Sequence, residues 1–240
     1  MLSPSKRTDW AVMVGQAHRL PDPGFKTEAM TIARGLCAEI RAKVEILVSE
    51  LIATGYVFAF PDCVHVTNVG DLSEWNEAAD HLGIHLPVFL QAWIVEVGSV
   101  NLMGSHPAWP KSAYSGIGTN GNDVWYTDAL VLEVGLEHLR GEFEDWRLNA
   151  KEYGATEVGP FHWGLAPDYI HKANISGGLP YAIDMATPAV DTLLLNSPDC
   201  TSLFNHVSNA IWWGGFPGFR YIDATLPEIV VKLREKINST

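Results

Sequence analysis

The clearest pattern along the chain is a helical repeat of apolar residues between positions 27 and 54. Apolar residues recur there at steps of three and four, which places them on one face of a helix. They are Ala29, Ile32, Leu36, Ile40, Val44, Leu47 and Leu51. Gly55 follows at the point where a glycine favours the end of a helix. The pattern predicts a long helix from Thr27 to about Thr54, packed against a core along one side.

Shorter elements follow this helix. Residues 56–60 (YVFAF) predict a strand that ends at a Pro-Asp pair. Asp71 and Glu74 have the spacing of a capping box, which predicts a helix that ends near Gly83. A further helix is predicted over 86–97, where a proline stands in the first turn and a glycine follows the end.

The second half of the chain is richer in strands. Residues 99–125 predict a long loop around a short strand at 100–103, and residues 129–133 a further strand. Helices are predicted over 136–150, over 201–213, and from the capping-box pair Thr225 and Glu228 to about Ile237. Between them, strands are predicted at 161–167, 168–175, 181–185 and 192–195, with a hairpin turn at Gly177-Gly178.

These elements point to one α+β domain. Residues 1–25, with three prolines and Gly24, predict an irregular leader. Residues 26–240 contain no repeat of fixed period and no low-complexity linker. Helices lead and strands cluster later without regular βαβ alternation. We therefore expect a single α+β domain over 26–240, with a mixed or mainly antiparallel sheet flanked by helices.

Composition favours a globular protein of the cytoplasm. Apolar residues make up 47% of the 240 residues and charged residues 18%, which is enough for a buried core. No apolar run reaches the ~18 residues of a membrane span, and the N-terminus has no secretory pattern. The three cysteines are odd in number and form no CxxC motif, which argues against a disulfide framework or a cysteine zinc site. We expect a reducing, cytoplasmic compartment.

The net charge of −12 is concentrated in the middle of the chain. Residues 44–139 hold twelve acidic side chains and a single basic one, Lys111. A surface this poor in Lys and Arg disfavours nucleic acid and anionic membranes as partners. It favours a basic protein, since complementary charge speeds and orients the encounter. Ordinary solubilising charge is the alternative explanation.

We expect the partner-binding residues in this acidic region. The candidates combine acids with two aromatic anchors. They are Asp62, Asp71, Glu74, Glu77, Asp80, Asp123 and Asp128, with Tyr114 and Trp125.

Motifs for catalysis and cofactors are weak. The GxGxxG match at 116–121 has no strong strand before it and no helix directly after it, so a loop is favoured. His81 and His85 are four apart, but Gly83 between them argues against a metal-binding helix face. There is no HExxH and no GxSxG. We expect no metal, no cofactor and no catalytic residue. The alternative is a hydrolase with a dispersed site that uses His106 or His171 with nearby carboxylates.

The nine tryptophans leave a second question open. Several stand beside Gly or Pro, as in 162–164 (HWG) and 212–219 (WWGGFPGF). Aromatic residues held at turns can form a rigid binding surface, for a protein or a small ligand. Filling of the core in a loop-rich domain is the other interpretation.

Three segments together resemble the SUKH superfamily. Residues 85–107 (HLPVFLQAWIVEVGSVNLMGSHP) are similar to its Leu-Pro helix that ends in Val-Gly before a strand. Residues 166–185 (APDYIHKANISGGLPYAIDM) are similar to its sheet region, and the helix 202–213 with GGFPGF to its closing helix. The resemblance covers about 70–220. It implies an α+β domain without a fixed catalytic set.

The resemblance also implies a function. Bacterial members of the superfamily are inferred to be immunity proteins that bind and block toxin domains, often nucleases, and fungal relatives regulate cell-wall synthesis through protein contacts. We therefore expect a non-catalytic immunity protein that neutralises a basic toxin by electrostatic and steric occlusion. A hydrolase and a regulatory scaffold protein remain the alternatives.

Overall fold

A computed structural model describes residues 2–106, 128–172, 178–221 and 226–239 of the chain. The helices are α1 (Pro4–Gly15), α2 (Pro23–Ala53), α3 (Leu72–Leu82), α4 (Val88–Glu96), α5 (Leu136–Tyr153), α6 (Ala155–Val158), α7 (Tyr169–Lys172), α8 (Leu203–Trp212) and α9 (Glu228–Ser239). The strands are β1 (Val57–Phe58), β2 (His65–Val66), β3 (Ser99–Asn101), β4 (Gly104–Ser105), β5 (Val131–Leu132), β6 (His162–Ala166), β7 (Tyr181–Asp184) and β8 (Leu194–Leu195). Short 3₁₀ helices cover Ala17–Arg19, Pro61–Cys63 and Pro217–Tyr221. Within the described ranges, no helix is both long and apolar enough to cross a membrane.

The long helix α2 organises the core, as the apolar repeat predicts. Its 31 residues bury six of the seven predicted stripe positions, from Ala29 to Leu51, and Ile32 is half-buried. The helix begins at Pro23, four residues before the predicted start, because the Asp22 side chain accepts the Gly24 N–H and proline suits a first turn. Helix α4, buried along most of its length, packs against α2.

The prediction of an irregular leader is wrong. Residues 4–15 form helix α1, which packs on α2. Its proline stands in the first turn, where the missing N–H has no helical partner to lose. Trp10 is buried, with its ring centroid 5.8 Å from that of Phe89. Trp10 and the buried Met13, together with the ion pair of Lys6 with Glu39, therefore anchor a helix whose sequence carries almost no amphipathic pattern.

The strands form three small antiparallel sheets, which together with the helices give an α+β fold. Strands β1 and β4 pair, β2, β3 and β5 form a second sheet in that order, and β6, β7 and β8 a third. The strand predicted at 168–175 is wrong, since residues 169–172 form the short helix α7. Residues 173–175 of that segment and Gly177 lie outside the described residues. Strand β6 instead pairs directly with β7, with Trp163 opposite Ile183.

Gly98 lets the chain turn from α4 into β3 against β2. Its φ of +83° lies in the left-handed region, and a Cβ there would come within 2.1 Å of the Val66 carbonyl oxygen. Only glycine accommodates both conditions. This close approach sets the register of β3 on β2, with Val66 opposite Ser99.

Candidate functional site

Helix α3 carries most of the predicted partner-binding residues that the structure describes. Glu74, Glu77 and Asp80 are three residues apart, and all three are exposed. The opposite side of the helix buries Trp75, Ala78 and Ala79. The three carboxylates therefore run diagonally across the outer side of α3, and we call them the acidic stripe.

No described basic side chain lies within ion-pair distance of the acidic stripe. The neighbouring helix α5 is different, because Glu137 and Glu144 on its surface pair with Arg140 and Arg147. Two of the acids on α5 are thus neutralised within the helix. The acidic stripe keeps its charge available to another molecule.

Two further predicted acids lie near this stripe in sequence but differ in role. Asp71 is the N-cap of α3, and its Oδ1 accepts the N–H of Ser73 at 2.8 Å. This main-chain hydrogen bond lowers the pKa of the Asp71 carboxyl below its usual value. Asp62 is exposed on the 3₁₀ helix Pro61–Cys63. Tyr114, Asp123 and Trp125 lie outside the described residues.

The interpretation of Asp128 as an exposed partner-binding acid is wrong. Asp128 is 3% exposed, and its Oδ1 accepts a hydrogen bond from Lys172 Nζ at 2.8 Å. The Tyr181 hydroxyl donates to the same oxygen at 3.2 Å. Lys172 is equally buried and supplies the opposite charge that a buried carboxylate requires. Asp128 therefore joins the segment before β5 to α7 and β7, and faces the interior.

His206 completes this buried polar cluster. Its ring lies edge-on to Tyr181, with the centroids 5.7 Å apart. Burial, reinforced by the positive charge of Lys172, lowers the pKa of His206 to about 4. Burial and the neighbouring Asp128 raise the pKa of Tyr181. At neutral pH the cluster therefore holds one ion pair, a neutral imidazole and a neutral phenol.

A cleft of about 300 Å³ opens between α5, β6 and the segment around α7. Its walls bring together three carboxylates and two imidazoles. They belong to Glu133, His138, Glu142, Asp168 and His171. The cleft is lined by no Lys or Arg among the described residues, so its walls are electronegative when the imidazoles are neutral.

Both histidines in the cleft stand beside carboxylates. His138 Nε2 lies 3.1 Å from Glu142 Oε1, one helical turn away on α5. Hydrogen bonding to Glu142 raises the pKa of His138. His171 Nδ1 lies 3.8 Å from Asp168 Oδ2, and the His171 main-chain N–H donates to Asp168 Oδ1 at 3.1 Å.

Main-chain and side-chain donors position the carboxylates of the cleft. Glu142 Oε2 accepts the N–H of Gly164 in β6 at 2.9 Å. A Cβ at Gly164 would meet Glu142 Oε1 at 3.1 Å, so the glycine allows this close approach. Asn101 Nδ2 in β3 donates to Glu133 Oε1 at 2.8 Å. Elements of two sheets thus fix side chains that are far apart in sequence.

The structure separates the two histidines that the hydrolase alternative invoked. His171 lies in the cleft beside Asp168, whereas His106 Nε2 contacts the Thr54 carbonyl oxygen at 2.8 Å in a different region. His138 and Glu142 were missed, because helix-borne charges at close spacing are usually solvated. Their i,i+4 spacing was the available signal. Within the described ranges, no group of three ligating side chains could hold a metal ion.

A buried tryptophan, Trp163, packs between helix α3 and the cleft. The ring centroid of Trp163 in β6 lies 5.7 Å from that of Trp75, which anchors α3 beneath the stripe. On the α5 side it lies 6.3 Å from that of His138 in the cleft. Burial of Trp163 therefore packs the inner side of α3 against α5.

The chain was compared with protein-family models, with curated proteins and with solved structures, and none of them matches it.

Proposed function

We propose that the protein is a non-catalytic binding module that docks a basic protein through the acidic stripe of α3. The charge of Glu74, Glu77 and Asp80, which no described basic side chain neutralises, is the observation that carries the proposal. Carboxylates without intramolecular partners have no ion pair to break before they meet a cation. They steer a basic partner toward α3 and orient it on arrival.

The cleft beside α5 adds a second element to this docking surface. Its half-buried carboxylates Glu133 and Glu142 offer further acceptors to a Lys or Arg side chain of the partner. Guanidinium and carboxylate groups match in a bidentate geometry, which adds orientation to the charge attraction. The acidic stripe attracts the partner at long range, and the cleft binds one of its basic side chains at close range.

The partner that fits best is a basic toxin domain, and the protein is then its immunity protein. The resemblance of residues 85–107 and 166–185 to the SUKH superfamily supports this choice, as does the acidic balance of the chain. Bound on the basic surface with which such a toxin holds its own substrate, the protein blocks that substrate sterically and by charge. A regulatory scaffold would use the same surface with another partner.

We place this activity in the cytoplasm. The three cysteines are free thiols, and Cys63 and Cys200 are exposed. Exposed unpaired thiols are typical of a reducing compartment. Alkylation of the protein directly in intact cells, read by mass spectrometry, tests this, and a disulfide at either position would contradict it.

Affinity capture from the source cell's lysate tests the docking surface with two charge variants. The stripe variant carries Glu74→Gln, Glu77→Gln and Asp80→Asn. The matched control loses the same charge from exposed acids on α1, α5 and α9 that pair with no described residue, by Asp9→Asn, Glu152→Gln and Glu235→Gln.

We expect the wild type and the control to capture the same basic protein at low salt and to lose it at high salt. The stripe variant should capture it about tenfold less well, since three exposed pairs contribute up to about 1 kcal/mol each. Equal capture by the stripe variant would refute the docking surface. No stoichiometric partner for the wild type would refute the binding function itself.

A second candidate is a hydrolase-type enzyme that works in the cleft. The observation that favours it is the pairing of His171 with Asp168 and of His138 with Glu142 in the lining of one cleft. A histidine oriented by a carboxylate is the usual general base for activating water. A panel of chromogenic ester, phosphoester, glycoside and peptide substrates tests it. Turnover by the wild type that is lost in His171→Gln would support this candidate. Equal rates for the wild type and His171→Gln on every substrate of the panel would contradict it.

A further inference from the structure

A groove on another part of the surface runs between α1, α8 and the end of α9. Its first part encloses about 530 Å³ and is lined by Asn205, Asn209 and Trp212 of α8 and by Asn238 of α9. A second part of about 590 Å³ continues along α1 and shares Leu2, Arg7 and Asn205 with the first. The two parts form one elongated depression, longer than a compact small molecule needs.

Helix α8 forms the floor of the groove with its polar side. Asn205, Asn209 and Trp212 follow one another at steps of four and three residues, so they lie on one face. The opposite face is buried, with Val207 and Ala210 in the core. The side-chain amides of Asn205 and Asn209 form no hydrogen bond to any residue that the structure describes. Trp212 is 37% exposed beside them.

The two free carboxamides match the main chain of an extended peptide. Each offers one acceptor oxygen and an NH₂ donor, which are the complements of a peptide N–H and C=O. Positions four apart on a helix are separated by about 6 Å along its axis. Alternate residues of an extended strand, whose main-chain groups face the same way, are about 6.7 Å apart. The spacing of Asn205 and Asn209 therefore matches that of two alternate residues of an extended strand, whose main-chain groups both face the helix.

Arg7 gives the groove one uncompensated positive charge. It lies at the junction of the two parts and is exposed, and no described carboxylate is within ion-pair distance. The other guanidinium in the groove, that of Arg220, is paired with Asp199. Beyond Arg7 the lining includes the apolar Ala11 and the 40% exposed Val14. Asp191 also lines this part, and its carboxylate accepts the main-chain N–H groups of Thr192 and Phe204.

We propose that this groove binds an extended polypeptide segment of a partner protein. The segment lies along α8 with its main chain hydrogen-bonded to Asn205 and Asn209. It places an acidic side chain against Arg7 and an apolar side chain in the part lined by Val14. The groove involves none of the residues of the acidic stripe or the cleft, so the proposal stands independently of the docking surface there.

Selection from a displayed library of random peptides of about seven residues tests the proposal. We expect enrichment of sequences in which Asp or Glu stands within two residues of an apolar residue. An enriched peptide, labelled and titrated by fluorescence polarisation, should bind Arg7→Gln and Asn209→Ala about tenfold more weakly than wild type, because each loses a hydrogen bond at the groove. Arg147→Gln, which removes an exposed arginine of α5, should bind as wild type does.

Three results would overturn the proposal. They are no enrichment above an uncoated support, enriched sequences without an acidic residue, and equal binding by Arg7→Gln and Asn209→Ala. Unchanged circular dichroism and melting temperature of both variants ensure that weaker binding reports the groove and not misfolding.

Discussion

The buried His206 predicts a specific loss of stability in acid. In the folded protein its pKa is lowered to about 4 by burial and by Lys172, against about 6.5 in an unfolded chain. The unfolded state therefore binds the proton more tightly than the folded state between these values. The stabilising contribution of neutral His206 is complete above pH 6.5 and is lost as the pH falls to about 4.

The size of this loss follows from the difference between the two pKa values. A difference of about 2.5 units corresponds to about 3 kcal/mol in the free energy of unfolding. The groups that face His206 set the direction. Lys172 and Arg220 oppose its protonation, whereas Asp128 and Asp199 favour it, and burial outweighs both. Few single groups contribute a loss of this size to a domain with a total stability of about 5–15 kcal/mol.

Urea titrations at pH 7 and at about pH 4 measure the effect. Wild type should lose about 3 kcal/mol more between these pH values than His206→Phe, which has no titrating ring. His162→Gln, which changes an exposed histidine in β6, should retain the wild-type pH dependence. If His206→Phe and wild type lose the same free energy, His206 is not held neutral and the description of the buried cluster is wrong.

Three further predictions concern stability and reactivity. Ser202→Ala removes the hydroxyl that accepts the Asn205 N–H at the start of α8, and should lower the free energy of unfolding by about 1 kcal/mol in urea titrations. Gly98→Ala forces a Cβ against a β2 carbonyl at a φ of +83°, and should cost more than about 3 kcal/mol in the same assay. Burial raises the pKa of the Cys37 thiol, so a thiol reagent should modify Cys63 and Cys200 in the folded protein and Cys37 only after unfolding.

Each of these has a clear contrary result. If Ser202→Ala and Ser202→Thr are both as stable as wild type, the side chain of Ser202 does not stabilise the start of α8. A stable Gly98→Ala protein would mean that β2 and β3 do not approach as described. Modification of all three thiols at the same rate in the native protein would contradict the burial of Cys37 in α2.

The long apolar repeat made α2 predictable, whereas local sequence misled at α1 and α7. Periodic burial on one face leaves a pattern that composition alone cannot imitate. Helix α1 has no such pattern and is held by tertiary contacts, those of Trp10 and Met13 with the core and of Lys6 with Glu39. The segment that begins at Asp168 is short, and a single turn of helix leaves no periodic signal that would distinguish it from a strand.

The candidate site shows the same division. The acidic stripe was predictable because its residues lie on one helix at regular spacing. The burial of Asp128 was not, since its partner Lys172 lies 44 residues away and only folding brings the two together. The cleft is lined by residues from α5, β6 and the segment at Asp168, so no single stretch of sequence predicts it.

The most direct test of the docking surface is the amount of basic protein captured at low salt by the stripe variant relative to the matched control. Both variants carry three fewer negative charges, so the comparison removes net charge as an explanation. The account predicts about tenfold less partner on the stripe variant. Equal capture by the two variants would contradict it, because overall acidity and not the placement of charge on α3 would then explain binding.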